Sequence, residues 1–278
     1  MTTTTVPATR ARARLPRTLV TGLVLTALLV AVAAFAPVLS PHDPAEQNLL
    51  GGLQPPSAEH LFGTDQLGRD ILSRMLWAAR TDLTIAVLAA AAPLVTGVLL
   101  GLLSGYAGGR LDYLVGRVVD TVIAFPFYVI LVAIAFAVGR GPKGILVAFA
   151  LVGWVGYARV IRAATRTLRG SGWVEAARGG GLSHTRVLLR HLLPNVLPQA
   201  VVLLMTEIVL IMVAVVTLGY LGLGVQPPTP DWGTMISDGQ SFLTSKWWIS
   251  TLPGLGVIYT GIALSLVGDG LADVWRLR

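Results

Sequence analysis

The sequence has no cysteine, only two lysines, and charged residues at 13% of its 278 positions. Without cysteine there is neither a disulfide framework nor a thiolate metal centre. The charged fraction is about half that of a soluble globular domain. Long stretches carry no charge at all, so the 54% hydrophobic content does not read as the core of a soluble protein. Histidine is sparse too. His42, His60, His184 and His191 are scattered along the chain and none has the spacing of an HExxH-type metal site. Together with the missing cysteines, this weighs against a bare metal ion as ligand. A GxxxxGKS/T phosphate loop is also lacking: Gly139-Arg140-Gly141-Pro142-Lys143-Gly144 reads as a turn with no strand–helix unit after it. The chain therefore holds no ATP through a P-loop of its own.

What the sequence does have is six apolar stretches, at about 18–39, 83–105, 117–138, 145–163, 196–219 and 251–270. Each reaches the roughly 20 residues needed to cross a ~30 Å hydrocarbon layer at 1.5 Å per residue. Lipid offers no partner for open backbone groups, so the spans are predicted to be helices and the fold class is all-α, a polytopic membrane protein with six transmembrane helices. With the N-terminus inside, fifteen of the 21 basic residues fall on inner segments and helix ends; Arg69, Arg74, Arg80, Arg140, Lys143 and Lys246 fall outside. This bias predicts cytoplasmic termini and accounts for the net charge of +7 without any nucleic-acid surface. The cluster Arg10–Arg17 before the first span resembles a signal peptide, but the apolar run exceeds the 7–15 residues of a signal core, which favours an uncleaved anchor. The Thr-rich start, residues 1–17, is expected to be a disordered cytoplasmic tail.

The inner connection, residues 164–195, is strongly basic and reads as two short helices around a joint. The triplet Gly179-Gly180-Gly181 breaks the first helix and permits positive φ. Ser183 is placed to cap the second, whose Leu188, Leu189, Leu192 and Leu193 form an apolar face. Pro194 is expected to end it where the next span begins. Ala176 and Ala177 have almost no side chain, so a helix tip built on them can press into a groove of another protein. Glu175 in the first turn suits the positive helix N-terminus. An ordinary basic loop lying on anionic lipid reads the same residues equally well.

The order of motifs resembles one family. Glu175-Ala176-Ala177-Arg178, then Gly181, then Leu193-Pro194-Asn195-Val196-Leu197-Pro198, resembles the EAA loop of type I ABC importer permeases. Phe62-Gly63-Thr64-Asp65-Gln66-Leu67-Gly68-Arg69-Asp70 is similar to the outer signature of the dipeptide, oligopeptide and nickel subfamily. So are Leu221-Gly222-Leu223-Gly224-Val225-Gln226-Pro227-Pro228 and Leu266-Val267-Gly268-Asp269-Gly270-Leu271. The resemblance covers about residues 15–275. It implies the type I permease fold, with residues 18–80 as an N-terminal helix plus extracytoplasmic segment and 81–272 as the permease domain. It further implies that Glu175, Ala176, Ala177, Arg178 and Gly181 couple the chain to a cytoplasmic ATPase. A second homologous permease subunit and an extracytoplasmic substrate-binding protein complete the expected partners, ATP and Mg sit on the ATPase subunits, and this chain binds no cofactor. The expected activity is transport rather than catalysis: uptake of dipeptides or oligopeptides by alternating access, with nickel or glutathione-type cargo as the alternative.

Three departures from the pattern stand out. Gly179 and Gly180 replace bulkier residues, Val215 stands where many relatives carry Glu, and the ending Val274-Trp275-Arg276-Leu277-Arg278 lacks the usual Asp-Pro-Arg. Charges read within the spans are Asp120, Glu207 and Asp269, each costing roughly 2.5–3.5 kcal/mol at mid-helix unless it meets protein or water. Asp120 and Glu207 are candidate pathway residues. For Asp120 an i, i+3 pair with Arg117 is the plainer alternative, and Asp269 reads as lying at the membrane edge. Two rival classes remain: an intramembrane aspartyl protease, which lacks its GxGD signature here, and an ion-driven secondary transporter. Segment 231–248, with Trp232, Trp247 and Trp248, reads as a short interfacial or re-entrant element, its tryptophans serving either as an aromatic belt or at the pore mouth.

Overall fold

The computed structural model describes residues 15–276, so most of the expected disordered tail, residues 1–14, lies outside the described residues. Among the described residues the regular elements are helical, and the one β feature noted is an isolated bridge between Thr64 and Asp70. The helices are α1 (Arg17–Leu39), α2 (Ile71–Ala107), α3 (Gly109–Ile123), α4 (Phe127–Val138), α5 (Pro142–Val152), α6 (Trp154–Arg169), α7 (Gly172–Gly179), α8 (His184–Val187), α9 (Leu193–Tyr220), α10 (Trp232–Gly239) and α11 (Trp248–Arg276).

Five helical stretches are long and apolar enough to cross a bilayer: α1, α2, α5 with α6, α8 through α9, and α11. The stretch 117–138, predicted as one span, is instead α3 and α4 meeting at 89°. The break falls at Ala124-Phe125-Pro126. Pro126 has no N–H to donate and disfavours the helical conformation at Phe125, which forces the turn. It makes a sixth span only as a broken one. The second span also differs from expectation. At 37 residues α2 is about 55 Å long, well beyond a ~30 Å core. Its first three turns, read from the sequence as outer loop, are helix capped by Asp70, whose carboxylate accepts the Ser73 N–H at 2.8 Å.

Small residues set the packing. On α2, Gly97, Gly101 and Gly105 face α6 so closely that a Cβ would lie 2.5 Å from the Trp154 carbonyl, 2.9 Å from that of Ala158 and 2.7 Å from that of Arg162. Gly22 and Gly270 do the same between α1 and α11. Lipid tails are as apolar as leucine, so helices in a bilayer associate by van der Waals contact, and glycine lets backbones approach. The main core lies between α2, α5, α9, α10 and α11, around Ile71, Phe149, Met212, Leu218 and Trp232. A second cluster, at the end of the bundle that the charge bias reads as inner, joins Tyr157 and Ile161 of α6 to Val174, Val187 and Leu192.

Candidate functional site

The inner loop is built around α7. Val174 is wholly buried in the inner apolar cluster, as is Val187 beyond the turn. These two pegs hold the helix down. Glu175, Ala176 and Arg178 are exposed and Ala177 half-buried, so the predicted coupling residues are presented on one small projection. The joint after α7 has a defined geometry. Gly181 has φ +84°, its N–H donates to the Arg178 carbonyl at 3.0 Å, and the Leu182 N–H donates to that of Ala177 at 3.2 Å. That is a Schellman cap, with its characteristic apolar pair Ala177 and Leu182 packed on the inner cluster. Among the three glycines only Gly181 takes positive φ.

Past the cap, Ser183 accepts the Arg186 N–H as predicted. The expected stop at Pro194 does not occur, and the chain stays helical from His184 to Tyr220. Residues Leu188–Leu192 widen into a π turn, in which the Leu193 N–H reaches back to the Leu188 carbonyl. The wider turn accommodates the proline ring, which would otherwise strike the carbonyl four residues earlier. The loop is thus one short helix docked against the inner end of a span. Tyr106 Oη, at the end of α2, is hydrogen-bonded to His184 Nδ1 at 2.7 Å and ties that junction to a second span.

The two candidate pathway residues are not brought into one cavity. Glu207 is half-buried on α9, with Oε1 2.9 Å from where a Cβ would stand on Gly156 of α6. It has no ion pair among the described residues and is not among the residues lining the neighbouring apolar cavity of about 470 Å³, whose walls include Leu203, Thr206, Val160 and Trp275. Asp120 is exposed on α3 and lines a different cavity, of about 270 Å³. The alternative reading of Asp120 is corrected: Arg117 donates to Tyr113 Oη at 3.1 Å and makes no ion pair with Asp120. In the same cavity Asp112 pairs with both Arg162 and Arg166, so two basic residues of this surface are already neutralised in part. Asp269 is exposed on α11.

At the opposite end, read from the charge bias as outer, the segments 40–70 and 226–247 fold over the tops of the spans. Asp65 accepts from Arg69 Nε at 2.6 Å and from the backbone N–H groups of Leu67 and Arg69, and Arg74 lies 3.6 Å away. Arg69 reaches on to Asp238 of α10 at 3.3 Å. Trp232 and Trp248 are not belt residues: both are buried in the main core, and only Trp247 is largely exposed. The reason is local. Asp231 caps α10 by accepting the Thr234 N–H, and the Trp232 N–H donates to Asp82 at 3.0 Å, which draws α10 in against α2. Burial pushes the Asp231 carboxyl above the ordinary aspartate value, against its bonds from Thr234.

With this geometry in view, comparison with known proteins decides the class. Residues 97–276 match the family described as binding-protein-dependent transport system inner membrane component. The chain belongs to this family. Residues 14–56 match the N-terminal transmembrane domain of oligopeptide transport permease C. Among similar proteins, the di/tripeptide transport system permease protein DppC of Pseudomonas aeruginosa (strain UCBPP-PA14) is 38% identical over 258 residues, covering 91% of this chain and 85% of that one. The oligopeptide transport system permease protein OppC of Bacillus subtilis (strain 168) is 36% identical over 252 residues, covering 91% and 83%. A chain from inward-facing crystals of the MetNI methionine ABC transporter has the same fold, with TM-score 0.61 at 17% identity, covering 74% of this chain and 97% of that one.

The chain is therefore the multi-pass membrane permease of an ABC importer, and the protease and secondary-transporter readings fall away. Such a permease implies a cell membrane, an ATPase and a substrate-binding protein around it. Sequence reasoning about the permease missed the buried acids Asp82, Asp112 and Asp231. Asp82 carried a usable signal, an acid one residue before an apolar run, and so did Asp231, an acid three residues before Thr234 at a helix start; Asp112 is marked only by partners distant in sequence, Arg162 and Arg166.

Proposed function

We propose that this permease takes up dipeptides or oligopeptides, paired with a second homologous permease subunit and driven through α7. The support for the cargo is the relatives: those quoted are named for di/tripeptide and oligopeptide transport, and they match over nine tenths of this chain. Nickel or glutathione-type cargo has no such support. The observation that carries the coupling reading is the form of the inner projection. Glu175, Ala176 and Arg178 are held out by two buried pegs and a Schellman cap, and the side chains of Glu175 and Arg178 make no hydrogen bond or ion pair within the described residues. A rigid, small-faced helix tip suits a groove in a partner, whereas a lipid-bound loop needs no such shape.

In this mechanism ATP and Mg sit on cytoplasmic ATPase subunits. Their closure moves α7. Through Val174 and the Tyr106–His184 bond the motion reaches α2, α6 and α9 as one body, and the bundle alternates between inward- and outward-facing forms. Both termini lie inside, residues 18–80 form the anchor and outer segment, and 81–272 form the permease domain. Glu207 faces the pathway beside Gly156, and Asp120 faces the inner aqueous side.

Uptake of labelled dipeptides tests cargo and coupling together. A deletion strain regains dipeptide uptake, and not nickel uptake, when the gene is restored. Glu175→Lys opposes the helix dipole by only about 0.3–1 kcal/mol, so the variant accumulates in the membrane at the normal level but loses most uptake while ATP hydrolysis continues. Normal uptake by this variant would mean that α7 is merely a lipid-facing segment.

A further inference from the structure

The outer segment brings together two histidines that are eighteen positions apart. A ring nitrogen of His42, a ring nitrogen of His60 and a carboxylate oxygen of Asp70 lie within 4.8 Å of one another, and the two rings are 4.7 Å apart. Asp70 Oδ1 is 2.9 Å from His60 Nδ1 and 3.7 Å from His42 Nδ1. In a tetrahedral site with metal–ligand bonds of about 2.0–2.1 Å, ligand atoms stand about 3.3 Å apart. The two carboxylate–imidazole separations bracket that value, and the His42 and His60 nitrogens, within 4.8 Å of each other, would draw together on the ion.

Each ligand is also oriented by its surroundings. Asp70 spends Oδ2 on the cap of α2, accepting the Ser73 N–H, and leaves Oδ1 toward the histidines. The Asp70 side chain is 1% exposed. The His42 backbone N–H donates to Ser73 Oγ at 3.1 Å, which pins residue 42 to the same helix end. The His60 carbonyl accepts from Ser57 and Gly63, and its N–H donates to Ser57 Oγ, so its turn is fixed. Supporting hydrogen bonds of this kind orient the ligands of a metal. One atom needs explaining. His42 Nδ1 is buried and has no hydrogen-bond partner. A buried polar nitrogen left unpaired is costly, and 3.7 Å from a carboxylate oxygen is too far for a hydrogen bond but right for two ligands of one ion. The open side faces a small cavity of about 150 Å³ edged by Asp43, Glu46 and Glu59, whose charges attract a cation.

We propose that His42, His60 and Asp70 form a resident site for a divalent transition ion of the zinc class on the outer face of the permease, with the fourth position open toward that cavity. Imidazole with carboxylate selects such ions over calcium or magnesium. The bound ion ties the segment just beyond α1 and the 57–63 turn to the first turn of α2. It uses none of the residues assigned to coupling or to the pathway, so it stands or falls independently of the proposed cargo.

The test uses the full-length chain in lipid nanodiscs with the subunits that co-purify, without a polyhistidine tag and stripped by chelator. Co²⁺ is titrated first, then Zn²⁺. The expected result is one Co²⁺ per chain with the intense visible absorption of tetrahedral coordination, displaced by Zn²⁺, and a thermal midpoint raised by Zn²⁺. In His42→Ala the absorption disappears and Zn²⁺ binds at least tenfold more weakly. Its metal-free midpoint stays that of the unaltered chain, because the lost nitrogen made no hydrogen bond. Asp70→Asn keeps a side chain able to cap α2 and loses affinity by a similar factor. Substoichiometric Co²⁺, or the same affinity in both variants as in the unaltered chain, overturns the site and leaves a plain His60–Asp70 hydrogen bond.

Discussion

The outer and inner ends of this permease solve opposite problems. At the outer end, Asp65, Arg69, Arg74, Asp82 and Asp231 are all 5% exposed or less, and their bonds run between the first outer segment, α2 and α10. Charge there is structural: it fastens two loops into the main core. At the inner end the basic residues are mostly exposed, and α7 buries only Val174. Its stability rests on apolar pegs and a backbone cap, and its charged residues are left for a partner. Substitutions of charge at the outer end should therefore act on folding, and those at the inner end on transport alone.

The sharpest way to break that contrast is Asp65→Ala. It leaves two buried guanidinium groups without their shared carboxylate, and breaking such a buried pair costs about 3–5 kcal/mol. The expected outcome is severe loss of protein from the membrane and a lower melting midpoint. A variant that accumulates and melts normally would show that the outer network is ornamental to folding.

A smaller effect is expected at the inner cap. Gly181→Ala forces a side chain into the left-handed region, at roughly 1–2 kcal/mol, so α7 loses its fixed position and uptake falls while the global melting point moves little. Gly179→Ala tests the sign. That residue is helical with open space around it, so alanine there strengthens α7 by up to ~1 kcal/mol and leaves uptake intact. If both substitutions reduce uptake equally, the loop needs softness rather than a defined cap. Paired uptake and thermal-shift assays on the two variants decide.

The least effect on stability is expected from Glu207→Gln. The amide keeps the shape beside Gly156 and removes the charge. Uptake of peptides with a free amine should fall, N-acetylated ones should fall less, and protein level should hold. Equal uptake of both, with Glu207→Leu melting higher, would make Glu207 a buried structural acid.

How much of this was legible beforehand depended on the range of the interaction. Ser183 as a cap and the break at Gly181 are local events within a few residues, and both were read correctly. The failures have a common cause. Pro194 was expected to stop a helix because the π turn that accommodates it leaves no mark in hydrophobic pattern. The stretch 117–138 was read as a straight span because its apolar run masked the effect of Pro126. Trp232 and Trp248 looked like interfacial aromatics because nothing near them in sequence reveals that Asp82, 150 positions earlier, holds the Trp232 backbone.

By itself the sequence determined the all-helical class, the approximate spans, the short helix that carries Glu175–Arg178 and the order of motifs, since lipid forces helices and caps are written over three or four residues. Tertiary structure alone decided which charges are buried, which glycines let α2 meet α6, and that two histidines read as scattered stand 4.7 Å apart beside Asp70. Those features are distances between residues far apart in the chain, and periodicity and spacing report only on neighbours.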